Sequence, residues 1–99
     1  DSRRLKEMKS TAVLVNTARG GIVDEEALYH ALKEGEIGAA ALDATLVEPA
    51  CGSPLAALPN CILNPHAGAA TYEAGRNMGM LAAQNVLDVL TTGTCPHLV

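Results

Sequence analysis

The sequence predicts an α/β protein built on a parallel sheet wound by helices, with elements in the order β-α-β-β-α. Three observations carry that prediction. Short apolar runs alternate with longer amphipathic ones, the pattern of strands feeding helices. The hydrophobic content is 48%, yet the chain holds two Tyr and no Phe or Trp. A core of Ala, Leu, Val and Ile suits helices packed closely on a parallel sheet better than a sandwich. Finally, Arg19, Asp43 and His66 each fall just past the carboxyl end of a candidate strand, where ligands sit in such sheets.

In chain order, Leu5 to Met8 reads as a final helical turn. "TAVLVN", Thr11 to Asn16, is too short and continuously apolar for a helix and reads as a strand buried on both faces. Asp24 is a helix N-cap, with Glu25 and Glu26 complementing the dipole of the first turn. Ala27, Leu28, Ala31 and Leu32 make one apolar stripe, and Gly35 ends the helix. "IGAAALD", Ile37 to Asp43, is the second strand. An irregular connection carrying Pro49, Pro54 and Pro59 leads to a third, Cys61 to Asn64. Thr71 can cap a long helix to about Leu90, stopped by Gly93. In it Met78, Leu81, Ala82, Val86, Val89 and Leu90 form the expected buried stripe, and Gly75 and Gly79 are expected to allow close packing.

Composition narrows the function classes. Ninety-nine residues with net charge -4 describe one small globular unit. Mild acidity without runs of like charge argues against a nucleic-acid partner. No apolar stretch approaches the roughly 20 residues that span a bilayer, so no membrane partner is expected. The opening "DSRRLKEMKS" lacks an apolar leader and a methionine, so the chain is expected to be cytoplasmic and to start within a longer protein. Cys51, Cys61 and Cys95 are odd in number and lack C-x-x-C spacing, implying free thiols and no metal site.

Each candidate side chain has a plain reading and a chemical one. Arg19 is either a solvated loop residue or an anion clamp, its guanidinium fork matching a carboxylate. Gly20 and Gly21 beside it would let backbone approach a ligand. His66 is either structural or an acid/base, since imidazole titrates near pH 6.5. Glu48 is either a surface carboxylate or, if it meets His66, the group that orients the ring. Asp43 ends an apolar strand and needs a partner, either the next turn or a ligand amide. A Cys/His hydrolase using Cys51 or Cys61 lacks the usual nucleophile contexts. The chain contains neither G-x-G-x-x-G nor a P-loop.

"NTARGGIVDEEALYHALKEGEIGAAALDATLVEP" followed by "LPNCILNPHAGAATYEA" resembles the nucleotide-binding domain of the D-isomer-specific 2-hydroxyacid dehydrogenases. Three motifs occur in the family's order, N-x-x-R-G, D-x-x-x-x-E-P and P-H-x-x. The look is nearest the glyoxylate/hydroxypyruvate reductase branch. This resemblance implies a partial Rossmann-like domain, with residues 1–99 forming the C-terminal half of the nucleotide-binding domain. The glycine-rich loop and substrate domain would then lie upstream. It implies NAD or NADP as cofactor, a small 2-oxo acid as substrate and a homodimer for the full-length protein. Arg19 would bind the substrate carboxylate, His66 would be the acid/base, and Glu48 would support His66. Thr17, Ala18, Arg19, Asp43, His66 and Gly68 would line the cofactor pocket. The alternative is a non-catalytic, cofactor-sensing interaction module on the same fold.

Overall fold

A computed structural model describes residues 1–97. They fall into two compact units, one spanning Asp1–Gly68 and one beginning at Ala69. The first contains helix α1 (Ser2–Lys6), strand β1 (Val13–Asn16), a 3-10 turn at Gly20–Ile22 and helix α2 (Glu25–Lys33). Strand β2 (Ala39–Leu42), a 3-10 turn at Pro54–Ala57 and strand β3 (Cys61–Leu63) complete it. The three strands form one sheet in the order β1-β2-β3, parallel throughout. Leu14 pairs with Ala40, Asn16 with Leu42 and Leu42 with Leu63, so the three strands end together. The element order is the expected one, each strand shorter than its predicted run.

Local chemistry sets the helix ends. Asp24 caps α2 by accepting from Ala27 N at 3.0 Å. The chain leaves α2 through Gly35 in the left-handed region. Asn60 donates to the carbonyls of Leu32 and Gly38, tying the end of α2 to the start of β2. Leu28, Ala31 and Leu32 of α2 join Leu5, Ile37, Ala40, Leu42 and Leu55 in one core. Each of the fully buried leucines contributes about 1.5–3 kcal/mol of transfer free energy.

That core lies on one face of the sheet, which corrects the expectation for β1. Val13 and Val15 are 60% and 64% exposed, and Ile62 of β3 is 65% exposed. The helices of this unit cover only the face carrying Leu14, Ala40 and Leu42, so alternate residues of the apolar run stay in solvent. In the second unit, α3 (Tyr72–Thr92) is capped by Thr71 and closed by Gly93 as expected. Its predicted buried stripe is not buried: Met78, Leu81, Ala82, Val86, Val89 and Leu90 are all exposed. A Cβ at Gly75 or Gly79 would meet nothing within 4 Å, so among the described residues nothing packs closely on that pair. An amphipathic pattern states which face of a helix can be buried; burial itself requires a second surface.

Candidate functional site

The loops leaving β1, β2 and β3 open at the same rim, since parallel strands in this register all point their carboxyl ends one way. Asn16, the last residue of β1, is 6% exposed. Its side chain accepts from Ala18 N at 3.0 Å and donates to the carbonyl of Arg19 at 2.8 Å. This is an Asx turn that fixes the backbone on either side of the Arg19 side chain. The guanidinium folds back to donate from Nη1 to Ala18 O at 2.6 Å. Arg19 itself is exposed and extended, with φ -146° and ψ 148°.

The β2 loop is held from several sides. Thr45 donates from its hydroxyl to Val47 O at 3.0 Å, and its N–H reaches Glu48 Oε1 at 3.3 Å. Glu25, in the first turn of α2, accepts from Leu46 N at 2.5 Å. Gly20 presses directly on this loop. A Cβ there would fall onto the Thr45 carbonyl group and Leu46 N, whereas one at Gly21 would meet nothing. The close approach expected at the glycine pair is thus backbone against backbone, and only at Gly20.

His66 follows β3 with φ +55°, a left-handed conformation uncommon outside glycine and concentrated at functional sites. Its Nδ1 lies 3.0 Å from both Oε1 and Oε2 of Glu48. An ionised carboxylate only accepts, so Nδ1 carries a proton and Nε2 is left for other chemistry. The hydrogen bond from His66 is the main cause holding the Glu48 carboxyl below its ordinary value. Partial desolvation opposes it, while the Thr45 N–H and the charges of His66 and Arg19 reinforce it. The two side chains are 40% and 42% exposed, so the pair faces solvent and orients more than it stabilises.

Asp43, 8% exposed, takes its hydrogen bonds from the loop after β3 and not from the turn that follows it. Oδ1 accepts from Ala67 N and Oδ2 from Gly68 N, both at 3.0 Å. A carboxylate at the end of β2 therefore grips the loop just after His66. A Cβ at Gly68 would lie 2.8 Å from Asp43 Oδ2, which explains the small residue there. Thr17 and Asp43 meet at a cavity of about 120 Å³ at the strand ends, whose apolar wall is Val15, Ala41 and Ile62. A larger concavity of about 470 Å³ runs beside Glu26, Tyr29 and Pro54, away from these groups, and none of the candidate residues lines it.

Of the three residues singled out in the sequence, the fold brings Glu48 and His66 into contact, with the charge of Arg19 felt at Glu48. The sequence reading missed Asn16, Gly20's true neighbour and the second role of Glu25. Asn at a strand end is a legible turn signal. The Gly20 and Glu25 contacts join segments far apart in sequence, 21 residues for Glu25 and Leu46, and leave no local trace. Burial pushes the half-buried Cys61 thiol up, with the Glu25 charge adding to it, which makes it a poor nucleophile. No His/Cys/Asp/Glu cluster able to hold a metal occurs among the described residues. No helix among them is long and apolar enough to cross a membrane.

Residues 1–68 match the family model described as D-isomer specific 2-hydroxyacid dehydrogenase, NAD binding domain. A glyoxylate reductase of Thermofilum pendens is 49% identical over 100 residues, covering 100% of this chain and 30% of the relative. A D-3-phosphoglycerate dehydrogenase of Methanocaldococcus jannaschii is 52% identical over 83 residues, 84% of this chain and 16% of that protein. The chain thus spans less than a third of the length of these curated relatives. Among solved structures, a glyoxylate reductase from Paecilomyes thermophila superposes with TM-score 0.87 at 36% identity, over 94% of this chain and 28% of that one. An NADPH-dependent glyoxylate/hydroxypyruvate reductase from Sinorhizobium meliloti, in complex with NADP and malonate, gives 0.86 at 34% identity, over 94% and 29%. The Rossmann-like fold class and the NAD(P) cofactor class expected from the sequence agree with these matches. With more than half of its length matched by the family model, this chain belongs to the D-isomer-specific 2-hydroxyacid dehydrogenases, within their NAD-binding domain.

Proposed function

We propose that this chain is the C-terminal half of the nucleotide-binding domain of an enzyme that reduces a small 2-oxo acid, of the glyoxylate or hydroxypyruvate type, to its D-2-hydroxy acid. The observation that carries the reading is the His66–Glu48 pair, with Nδ1 on both carboxylate oxygens at 3.0 Å, on a rim shared with Arg19. Arg19 binds the substrate carboxylate through its planar fork and draws charge from the adjacent carbonyl. His66 gives a proton from Nε2 to the carbonyl oxygen, while Glu48 holds Nδ1–H and stabilises the charged ring. A nicotinamide cofactor bound beside these residues would supply the hydride. The residues present fit its reactive end: an apolar wall of Val15, Ala41 and Ile62 accepts a flat ring, and Thr17 and Asp43 offer polar contacts beside it. Ala18, His66 and Gly68 border the same rim. No glycine-rich pyrophosphate loop lies within these 99 residues, so the isolated chain should not turn over.

The non-catalytic alternative is disfavoured by the complete Arg19, Glu48 and His66 set. The test is the full-length protein, followed by nicotinamide absorbance with glyoxylate and hydroxypyruvate, each with NADH and NADPH. Substrate-dependent oxidation is expected, falling by roughly 10²–10⁴-fold in His66→Ala. Arg19→Ala should lose it as well. A folded, cofactor-binding protein without oxidation would overturn the enzyme reading.

A further inference from the structure

We propose that Asn16 is a positioning residue for Arg19: a buried carboxamide that fixes the backbone from which the guanidinium meets the substrate carboxylate. The inference rests on the dehydrogenase reading above and deepens its account of substrate binding. Asn16 is 6% exposed, so its polar atoms have to be satisfied within the protein. Both are satisfied by the segment that carries Arg19. Oδ1 accepts from Ala18 N at 3.0 Å and Nδ2 donates to Arg19 O at 2.8 Å. The two partners have opposite polarity, one only a donor and the other only an acceptor, so the amide has one workable orientation.

The clamp reaches the guanidinium through short steps. Ala18, held at its N–H by Asn16, presents its carbonyl to Arg19 Nη1 at 2.6 Å. Arg19 is thereby gripped at its own carbonyl from below and at its side-chain tip from the preceding residue. Asn16 is anchored in turn by the sheet, where its carbonyl accepts from Asp43 N at 2.9 Å. An exposed arginine on a loop would otherwise sample many rotamers, and ordering it on binding would cost conformational entropy. A short carboxamide at the strand end removes much of that cost before substrate arrives.

The isosteric change Asn16→Asp keeps the acceptor for Ala18 N but replaces the donor with an oxygen facing the Arg19 carbonyl. Asn16→Ala removes both bonds. Asn16→Ser retains a short group able to accept from Ala18 N. Steady-state kinetics on the full-length enzyme with glyoxylate, beside cofactor affinity by nicotinamide fluorescence, separates the roles. The expected result is a KM for glyoxylate raised roughly tenfold in Asn16→Ala and Asn16→Asp, the scale of a lost buried hydrogen bond, with Asn16→Ser between them and wild type. Cofactor affinity should stay near wild type, and any fall in kcat should be smaller than in Arg19→Ala.

The decisive comparison is the double variant. If Asn16 acts through Arg19, Asn16→Ala adds no further loss of kcat/KM in an Arg19→Ala background. Additive losses, or a fall in cofactor affinity in place of a KM effect, would overturn the proposal while leaving Arg19's role intact. No effect of Arg19→Ala alone would instead sink the reading of Arg19, and this proposal with it. If Asn16→Ala fails to fold, Asn16→Asp in both backgrounds gives the same comparison at unchanged side-chain volume.

Discussion

At the scale of single residues, the Glu48 carboxyl is the titrating group whose environment says most. Its value lies below the ordinary 4.5, first because of the His66 hydrogen bond. A carboxyl depressed in the folded state stabilises above its unfolded value and loses that contribution as pH falls through the folded one. Glu48 therefore stays ionised at neutral pH, and the Nδ1–H of His66 keeps an anionic acceptor there. The expected outcome of a carboxyl-carbon NMR titration of Glu48 is a midpoint below 4.5 that moves back toward it in His66→Ala. A midpoint unmoved by that substitution would mean the contact does not form in solution. In the full-length enzyme Glu48→Gln should lower kcat by less than the roughly 10²–10⁴-fold expected for removing His66. The amide can still orient the ring, but it stabilises the charged form less. The sequence offered a His66–Glu48 contact as a possibility, and the structure shows it; the proposed roles of His66, Glu48 and Arg19 rest on their motifs. The left-handed backbone of His66 was not legible, since no local signal marks it and the loop that follows is held by Asp43 from another strand.

At the scale of elements, the site is assembled by loops leaning on one another, and Gly20 is where two of them touch. The Arg19 loop meets the Thr45–Leu46 backbone there with no room for a side chain. Thr45 in turn supports Glu48 through its N–H. Gly20→Ala must push these loops apart, while Gly21→Ala, with open space around its Cβ, need not move anything. In the full-length enzyme Gly20→Ala should lower kcat/KM at least tenfold and reduce thermal stability, within the roughly 1–3 kcal/mol typical of overpacking. Gly21→Ala should stay near wild type on both measures. Equal effects from the two would deny the loop contact its role. In sequence the two glycines are neighbours with the same local context, so nothing separates them before the fold is known. The elements themselves were legible because their signals are local: Asp24 as cap, Gly35 and Gly93 as stops, and apolar runs of strand length.

At the scale of the whole molecule, the sheet and α3 carry more apolar surface than the described residues cover. Val13, Val15 and Ile62 lie in solvent on one sheet face, and Met80, Val86 and Leu90 do so on α3. The continuous apolar run in β1 is suited to a sheet covered on both sides, as in parallel α/β folds generally. Its reading as buried on both faces failed because covering is a property of other segments, which a strand's own residues cannot reveal. Exposed apolar faces of this kind drive association. The isolated 99-residue chain is therefore expected to bind a hydrophobic dye such as ANS and to sediment as species larger than its monomer. Substituting Val13, Val15 and Ile62 together with threonine keeps strand propensity and removes much of the apolar face. That variant should bind less dye and shift toward monomer, because the core on the opposite face, built on Leu28, Ile37 and Leu55, is untouched. A wild-type chain that is monomeric, dye-silent and cooperatively unfolding would show instead that this face is covered in solution.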